Sequence, residues 1–250
     1  MHLTWEEGGW EQLAPGVTRR RLPHWDATVG LVVGTEGALM VDAGSTVREG
    51  AELRRQAEFL LSREAPGGPR GVTHLALTHP HFDHVLGMSA FAGAEVYGAV
   101  GLDRVFAGAG DGLRADAERH GVDPDEAAEA TELLVRPRHL VSGDVTVGLG
   151  DGIEAVLANV GPGHSHHDLV VLVPGRRGAP SVVFCGDLVE ESGEPQAGPD
   201  SVPGRWPAAM DRLLALGGEE ALYVPGHGAV VDAGFVRAQR DELASRFATP

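Results

Sequence analysis

The chain has 250 residues, 42% of them hydrophobic, with 36 Gly, 16 Pro and a formal net charge of −16. Its twenty basic residues are all arginine, so a Schiff-base lysine, a phosphate-loop lysine and a Ser–Lys pair are excluded. The charge argues against nucleic acid, whose phosphates need a basic surface.

The length fits one globular domain over residues 1–250, with a core large enough to need no disulfide. The single cysteine, Cys185, forbids an intrachain one. The stretch Met1 to Leu13 carries Glu6, Glu7 and Glu11 and lacks a basic or apolar leader signature. No apolar run approaches the roughly 18 residues of a membrane span. A cytoplasmic protein with a small-molecule substrate, and with neither nucleic-acid nor membrane partners, is the expectation; nothing in the sequence sets an oligomeric state.

Two strand-like runs open the pattern, Thr28–Val33 and Ala38–Val41. The turn residues Gly34-Thr35-Glu36-Gly37 between them predict a hairpin ending at Asp42-Ala43-Gly44. Upstream, the basic run Arg19-Arg20-Arg21 reads as a solvated strand face. Ser45 or Thr46 caps a helix running to about Arg63, whose apolar positions Val47, Leu53, Ala57, Leu60 and Leu61 fall mostly on one face. Ala65-Pro66-Gly67-Gly68-Pro69 is a loop. Val72–Leu77 and Glu95–Gly98 are short strands.

A polar helical insertion at about 100–135 follows, with Pro124 as the first helical residue after Asp123. Strands return at His139–Val141, Val145–Val147, Ile153–Val160, Leu169–Val173 and Ser181–Cys185. A Gly- and Pro-rich loop spans Gly186 to Gly204. A helix at about Trp206–Leu216, a strand at Ala221–Val224, the turn Pro225–Gly228 and a helix from about Asp232 to Phe247 complete the chain. This order suggests two α/β halves, with sheets packed between helices.

The chemistry is concentrated after the strand Val72–Leu77, in Thr78-His79-Pro80-His81-Phe82-Asp83-His84. Four strong metal ligands lie in one loop at a strand end, where the strand holds their base rigid. His79 and His81 can point the same way in an extended segment. Asp83 and His84 follow as the chain turns toward a helix and can face a different centre, so the spacing suits two neighbouring metals better than one. His164 in Gly161-Pro162-Gly163-His164, Asp187 in Gly186-Asp187 and His227 in Pro225-Gly226-His227-Gly228 each follow a predicted strand and each adjoin glycine, which permits tight turns.

Together these residues resemble the metallo-β-lactamase-fold hydrolase superfamily, from about Val29 to Val230 and including Asp42 of Val41-Asp42-Ala43-Gly44. The resemblance implies a four-layer αβ/βα sandwich with a dinuclear site between the sheets, in a ligand set like that of glyoxalase II. His79, His81 and His164 would hold one metal, Asp83, His84 and His227 the other, and Asp187 would bridge them.

Imidazole and carboxylate donors favour two divalent ions, zinc foremost, with iron or manganese as alternatives. Two such metals lower the pKa of a shared water and give a hydroxide for attack on a carbonyl or phosphoryl centre. Asp83 is the candidate to orient that nucleophile and move its proton. Asp42 is expected to accept a hydrogen bond from a ligand histidine or to hold the metal loop; the alternative is an Asp that only ends a strand and caps the next helix.

The expected reaction is metal-dependent hydrolysis of a small thioester, lactone, ester or amide. A mononuclear-iron oxidoreductase of the persulfide dioxygenase type and a β-lactamase-like hydrolase are the alternatives. Trp25, His24 and His166 are candidate substrate contacts. His167 and Asp168 read as loop residues, Trp206 as ordinary packing, and Cys185 as a buried small hydrophobe.

Overall fold

Both faces of nearly every central strand are apolar, as in a sheet covered on two sides. The computed structural model describes residues 9–65, 67–108 and 110–248. Residues 1–8 of the segment searched for a leader, and Pro66 of the predicted loop, lie outside these.

One sheet runs in the order β1 (Glu11–Ala14), β2 (Val17–Arg21), β3 (Thr28–Val33), β4 (Ala38–Val41), β5 (His74–Ala76), β6 (Glu95–Ala99), β7 (His139–Val141). It is antiparallel as far as β4 and parallel beyond. The other contains β8 (Asp144–Gly150), β9 (Ile153–Ala158), β10 (Val170–Val173), β11 (Val182–Glu190) and β12 (Leu222–His227), ordered β12-β11-β10-β9-β8. In it β11 and β12 pair in parallel.

Leu31, Met40 and Leu75 pack under Leu53, Ala57 and Leu61 of α1 (Val47–Glu64) on the outside of the first sheet. Val32, Leu39 and Val41 meet Leu157, Val171 and Phe184 between the sheets. Val183 and Tyr223 pack under Met210 and Leu213 of α6 (Trp206–Gly217) and Val236 of α7 (Ala233–Arg246). The result is the four-layer helix–sheet–sheet–helix sandwich. Between β6 and β7 the chain forms α3 (Leu102–Gly108), α4 (Gly110–Arg119) and α5 (Pro124–Glu132).

Local chemistry sets several boundaries where the sequence places them. The predicted hairpin strands are β3 and β4. Thr46 caps α1 by accepting from Glu49 N at 3.1 Å, and the Glu49 carboxylate accepts from the Ser45 amide and hydroxyl at 2.7 and 2.8 Å, a reciprocal arrangement like a capping box. Asp123 caps α5, with Pro124 at its start.

Three readings need correction. First, β1 and β2 precede the hairpin that the sequence takes as the opening pair of strands. Second, Arg19 and Arg20 are not a solvated face: they are 5% and 4% exposed. Arg19 donates to Glu11 at 2.7 Å and to the Gly228 carbonyl at 2.9 Å, and Arg20 donates to Gln56 of α1. These partners come from other elements and offset the desolvation of the guanidinium groups.

Third, the second-sheet strand does not stop at Cys185. Gly186, at φ 55°, forms a bulge, and β11 continues through Asp187 to Glu190, so the long loop starts later. A Cβ at Gly186 would stand 2.8 Å from the Thr78 Cβ, so glycine there lets β11 approach the histidine-rich loop. Likewise β12 takes in Pro225 to His227, read from sequence as turn.

Among the described residues no helix is long and apolar enough to cross a membrane.

Gly50, in the first turns of α1, lies against the backbone of Gly87, which follows the loop of histidines. A Cβ at Gly50 would fall 2.8 Å from the Gly87 Cα and closer still to its carbonyl oxygen. In an exposed helix Gly→Ala gains about 1 kcal/mol. Here overpacking of roughly 1–3 kcal/mol wins. Gly50→Ala is expected to lower Tm in scanning calorimetry, and an equal or higher Tm would refute this packing account.

Candidate metal centre

The centre is organised from the end of β4. Asp42 adopts φ 60°, a left-handed conformation that Asp tolerates better than most residues. This turns its carboxylate across the neighbouring strand end. One oxygen accepts from Thr78 N at 2.8 Å; the other accepts from Thr78 Oγ1 at 2.7 Å and from His84 Nδ1 at 2.9 Å.

The hydrogen-bond directions then fix the rings. Because the Thr78 hydroxyl proton goes to Asp42, Thr78 Oγ1 accepts from His79 Nδ1 at 3.0 Å, and the lone pair of His79 lies on Nε2. His84 donates its Nδ1 proton to Asp42, which leaves Nε2 free to ligate. His227 donates from Nδ1 to the Trp25 carbonyl at 2.8 Å. His81 donates from Nε2 to Asp200 at 3.0 Å and turns Nδ1 inward, 2.9 Å from His164 Nε2. Partners of this kind select the tautomer of a ligating histidine.

All seven predicted ligands converge. His79, His81, His164 and Asp187 form one group whose donor atoms lie within 4.8 Å of one another, and Asp83, His84 and His227 form a second. Asp187 faces both. Its Oδ2 is 3.6 Å from His79 Nε2, 3.5 Å from His164 Nε2 and 3.3 Å from His227 Nε2, and its Oδ1 is 3.2 Å from His84 Nε2. Glu190 makes a third such group with Asp187 and His227, which the sequence reading missed; an acidic residue at the end of a strand carries no signal of its own.

The electrostatics divide the site. Burial drives the His79 pKa well below its ordinary value and that of His164 down to about 4. Burial also acts downward on His84 and His227, but the Asp187 and Asp83 carboxylates outweigh it, holding His84 well above its ordinary value and His227 at about 10. Asp187 is driven the other way: burial raises it, and the surrounding histidines bring it well below the usual carboxylate range.

A divalent cation fits these donors. His79 is 1% exposed, and its Nε2 has no hydrogen-bond partner among the described residues. Such a lone pair is costly to bury unless a cation takes it.

The remaining candidates are distributed unevenly. Trp25 is half-buried, sets its ring edge-on to Phe82 at 5.3 Å and donates to the His120 carbonyl at 3.3 Å. His24 is exposed beside it. His166 is exposed and donates from Nδ1 to the Asp200 carbonyl at 2.6 Å; His167 bonds the Val100 carbonyl at 3.0 Å. Trp206 is fully buried, edge-on to His164 at 5.4 Å, with its indole donating to Leu188 O, so it supports a ligand histidine. Cys185 is buried, as expected.

Asp168 does more than the loop reading implies. It is 3% exposed and accepts from Gly163 N at 2.8 Å and from Ser165 N and Oγ at 3.0 and 2.6 Å, which folds the loop around His164. Sequence reasoning missed Asp200 and Thr78 as partners of ligand histidines. Thr78 is adjacent to the motif, whereas Asp200 is 119 positions from His81 and gives no local signal.

The sequence model of the metallo-beta-lactamase superfamily matches residues 23–227. The chain belongs to the metallo-beta-lactamase superfamily. Metallo-beta-lactamase domain-containing protein 1 of Xenopus laevis is 28% identical over 206 residues, which cover 81% of this chain and 71% of that one. The fold is similar to that of the metallo-beta-lactamase FIM-1 from Pseudomonas aeruginosa in its mono-zinc form, with a TM-score of 0.70, 19% identity and 97% of each chain covered. It is similar also to the metallo-beta-lactamase from Pontibacter korlensis, with a TM-score of 0.66, 22% identity, and 94% of this chain and 98% of that one covered. The chain thus has the superfamily's hydrolase fold, with His/Asp clusters that could hold divalent metal ions.

Asp42→Asn keeps a residue that tolerates positive φ but cannot accept from three donors as a carboxylate does. Charge-assisted bonds are worth about 1.5–3 kcal/mol each, so this variant is expected to melt at a lower temperature and to retain less metal per chain by elemental analysis.

Burial raises Asp168 from 3.8 to about 7. The unfolded chain therefore releases this proton near pH 4 and the folded chain near pH 7, so the contribution of Asp168 to stability falls as pH rises between those values. The stability difference between wild type and Asp168→Asn should move against wild type over that window. A difference independent of pH contradicts the assignment.

Proposed function

We propose that this protein is a dinuclear metal-dependent hydrolase, with zinc as the first choice of metal, acting on a small-molecule thioester, lactone, ester or amide. The observation that carries this reading is the position of Asp187, whose carboxylate faces histidine nitrogens of both clusters at 3.2–3.6 Å. One carboxylate between two nitrogen-rich groups suits a bridge between two cations. His79, His81 and His164 would hold one and Asp83, His84 and His227 the other.

Bound there, two divalent ions supply Lewis acidity and lower the pKa of a shared water. The chain's own residues do the rest. Asp83 Oδ2 stands 3.4 Å from His227 Nε2 and 3.7 Å from His84 Nε2, where it can orient a nucleophilic water and hold the proton it gives up. Trp25 packs edge-on against Phe82, and its carbonyl accepts from His227 Nδ1.

A cavity of about 760 Å³ is lined by Trp25, His24, Arg48, Glu49, Arg55 and His120 among others, and its size suits a small molecule. Another, of about 650 Å³, lies among the turns at the opposite end of the sandwich; neither cavity is lined by a candidate ligand, and only the first includes the candidate contacts Trp25 and His24.

The test is metal analysis joined to an activity screen over thioesters, lactones, β-lactams and phosphodiesters. Two zinc ions per chain and turnover of a small carbonyl substrate are expected. A single iron with oxygen consumption on a persulfide would overturn the reading in favour of a dioxygenase. Asp187→Ala should fall below two metals per chain and lose turnover. Asp83→Asn should lose roughly 10²–10⁴-fold in kcat, and full kcat with normal metal content would remove Asp83 from the mechanism.

A further inference from the structure

Four of the five candidate ligand histidines have one ring nitrogen held by an acceptor, and three of those acceptors stand beside the strands that carry the clusters. Thr78 holds His79, Asp42 holds His84 and the Trp25 carbonyl holds His227. His81 differs. Its acceptor, Asp200, lies in the long connection between β11 and α6, is half-exposed, and comes from a turn with no regular structure.

We propose that Asp200 is a positioning residue that sets the ring of His81 for metal binding, and that the turn at 198–202 clamps the first cluster. This rests on the reading of His81 as a metal ligand.

The geometry supports both parts. A carboxylate only accepts hydrogen bonds, so the 3.0 Å contact puts the proton of His81 on Nε2 and its lone pair on Nδ1, the atom facing His164 Nε2. His81 stands at the N-terminal boundary of the short helix Phe82–Val85, with extended backbone. Its ring is 24% exposed and stands edge-on to His79 and His164 at 4.6 Å, and the bond to Asp200 adds a direction that packing does not supply. Rotating the ring by half a turn would put Cδ2–H where Nδ1 faces the cluster, and the other tautomer would put the proton on Nδ1; the bond from Nε2 to Asp200 selects against both states.

The turn is itself fastened to the loop that carries His164. Val202 N donates to the Gly163 carbonyl at 2.9 Å, and the Asp200 carbonyl accepts from His166 Nδ1 at 2.6 Å. Ser201 closes the turn through its amide and hydroxyl, both donating to Gly198 O at 3.1 and 2.7 Å. The Asp200 carboxylate therefore grips His81 while the flanking backbone grips the His164 loop, so one half-exposed turn bears on two ligands of the same cluster and on neither histidine of the other. This also gives His166 a role apart from contact with substrate.

The test is zinc competition against a chromophoric chelator with full-length wild type, Asp200→Ala, Asp200→Asn and His81→Ala, together with Tm of each metal-free protein. Loss of the partner of a ligand histidine typically costs 10–100-fold in metal affinity. Asp200→Ala is expected to weaken one of the two zinc ions by that amount, to leave the other at wild-type affinity and to leave the metal-free Tm within a degree or two. Asp200→Asn, which keeps an acceptor oxygen without the charge, should recover part of the loss.

If Asp200→Ala and Asp200→Asn both bind two zinc ions as wild type does while His81→Ala does not, the positioning role is wrong and His81 stands as a ligand. If His81→Ala also binds both normally, the ligand reading fails with it. Equal weakening of both zinc ions, or a large fall in metal-free Tm in both Asp200 variants, would mean that the turn supports the fold at large and not His81.

Discussion

The Asp42 carboxylate is the contact on which the centre depends. It takes three hydrogen bonds and through them locks the first residue of the histidine loop, the tautomer of His79 by way of Thr78, and the tautomer of His84 directly. One group thereby prepares a donor for each cluster. It can do so because β4 and β5 run parallel, with Val41 beside Ala76, which brings their ends level. A positive φ at Asp42 turns the side chain over that gap, and the burial of the whole arrangement keeps water from competing for the same donors.

The rest of the sandwich brings the second half of the chain to this point. Both clusters are composite. Residues of the loop after β5 meet His164 from the loop after β9, Asp187 from β11 and His227 from the end of β12. The isolated bridge between Ala27 and His227, the bond from His227 to the Trp25 carbonyl and that from Arg19 to the Gly228 carbonyl tie the first sheet to the second at this edge. Burying Arg19 is costly, and two acceptors within 2.9 Å answer that cost.

Much of this was legible in the sequence where the signal is local. The hairpin strands, the Thr46 cap, the Asp123-Pro124 start and the glycine-flanked ligands each follow from residues a few positions apart. The structure brings the seven candidate ligands together, although Asp187 lies inside β11 and not at its end; residue type and flanking glycine, not the strand ends, picked them out.

Features set by distant partners were not legible. Arg19 and Arg20 look solvated until Glu11, Gly228 and Gln56 are placed beside them. The bulge at Gly186 lets β11 run on past Cys185, and strand periodicity alone gives no warning of that. Asp200 meets His81 only through the tertiary fold, and Glu190 joins Asp187 and His227 only because β11 and β12 pair in parallel.

The composite build of the clusters also constrains how the protein is made. A ribosome releases His79, His81, Asp83 and His84 long before β11 and β12 exist, and until then neither cluster has its full set of donors. If the clusters hold metal as proposed, tight capture would be a late event in synthesis, coupled to closure of the two sheets and not to emergence of the histidine loop. In that interval His79 and His84 can already have Thr78 and Asp42, but His81 and Asp83 lack the partners that the second half of the chain supplies. Its folding depends heavily on contacts distant in sequence, the class that forms slowly, and a cation bound after closure would stabilise the finished sandwich by mass action instead of nucleating it.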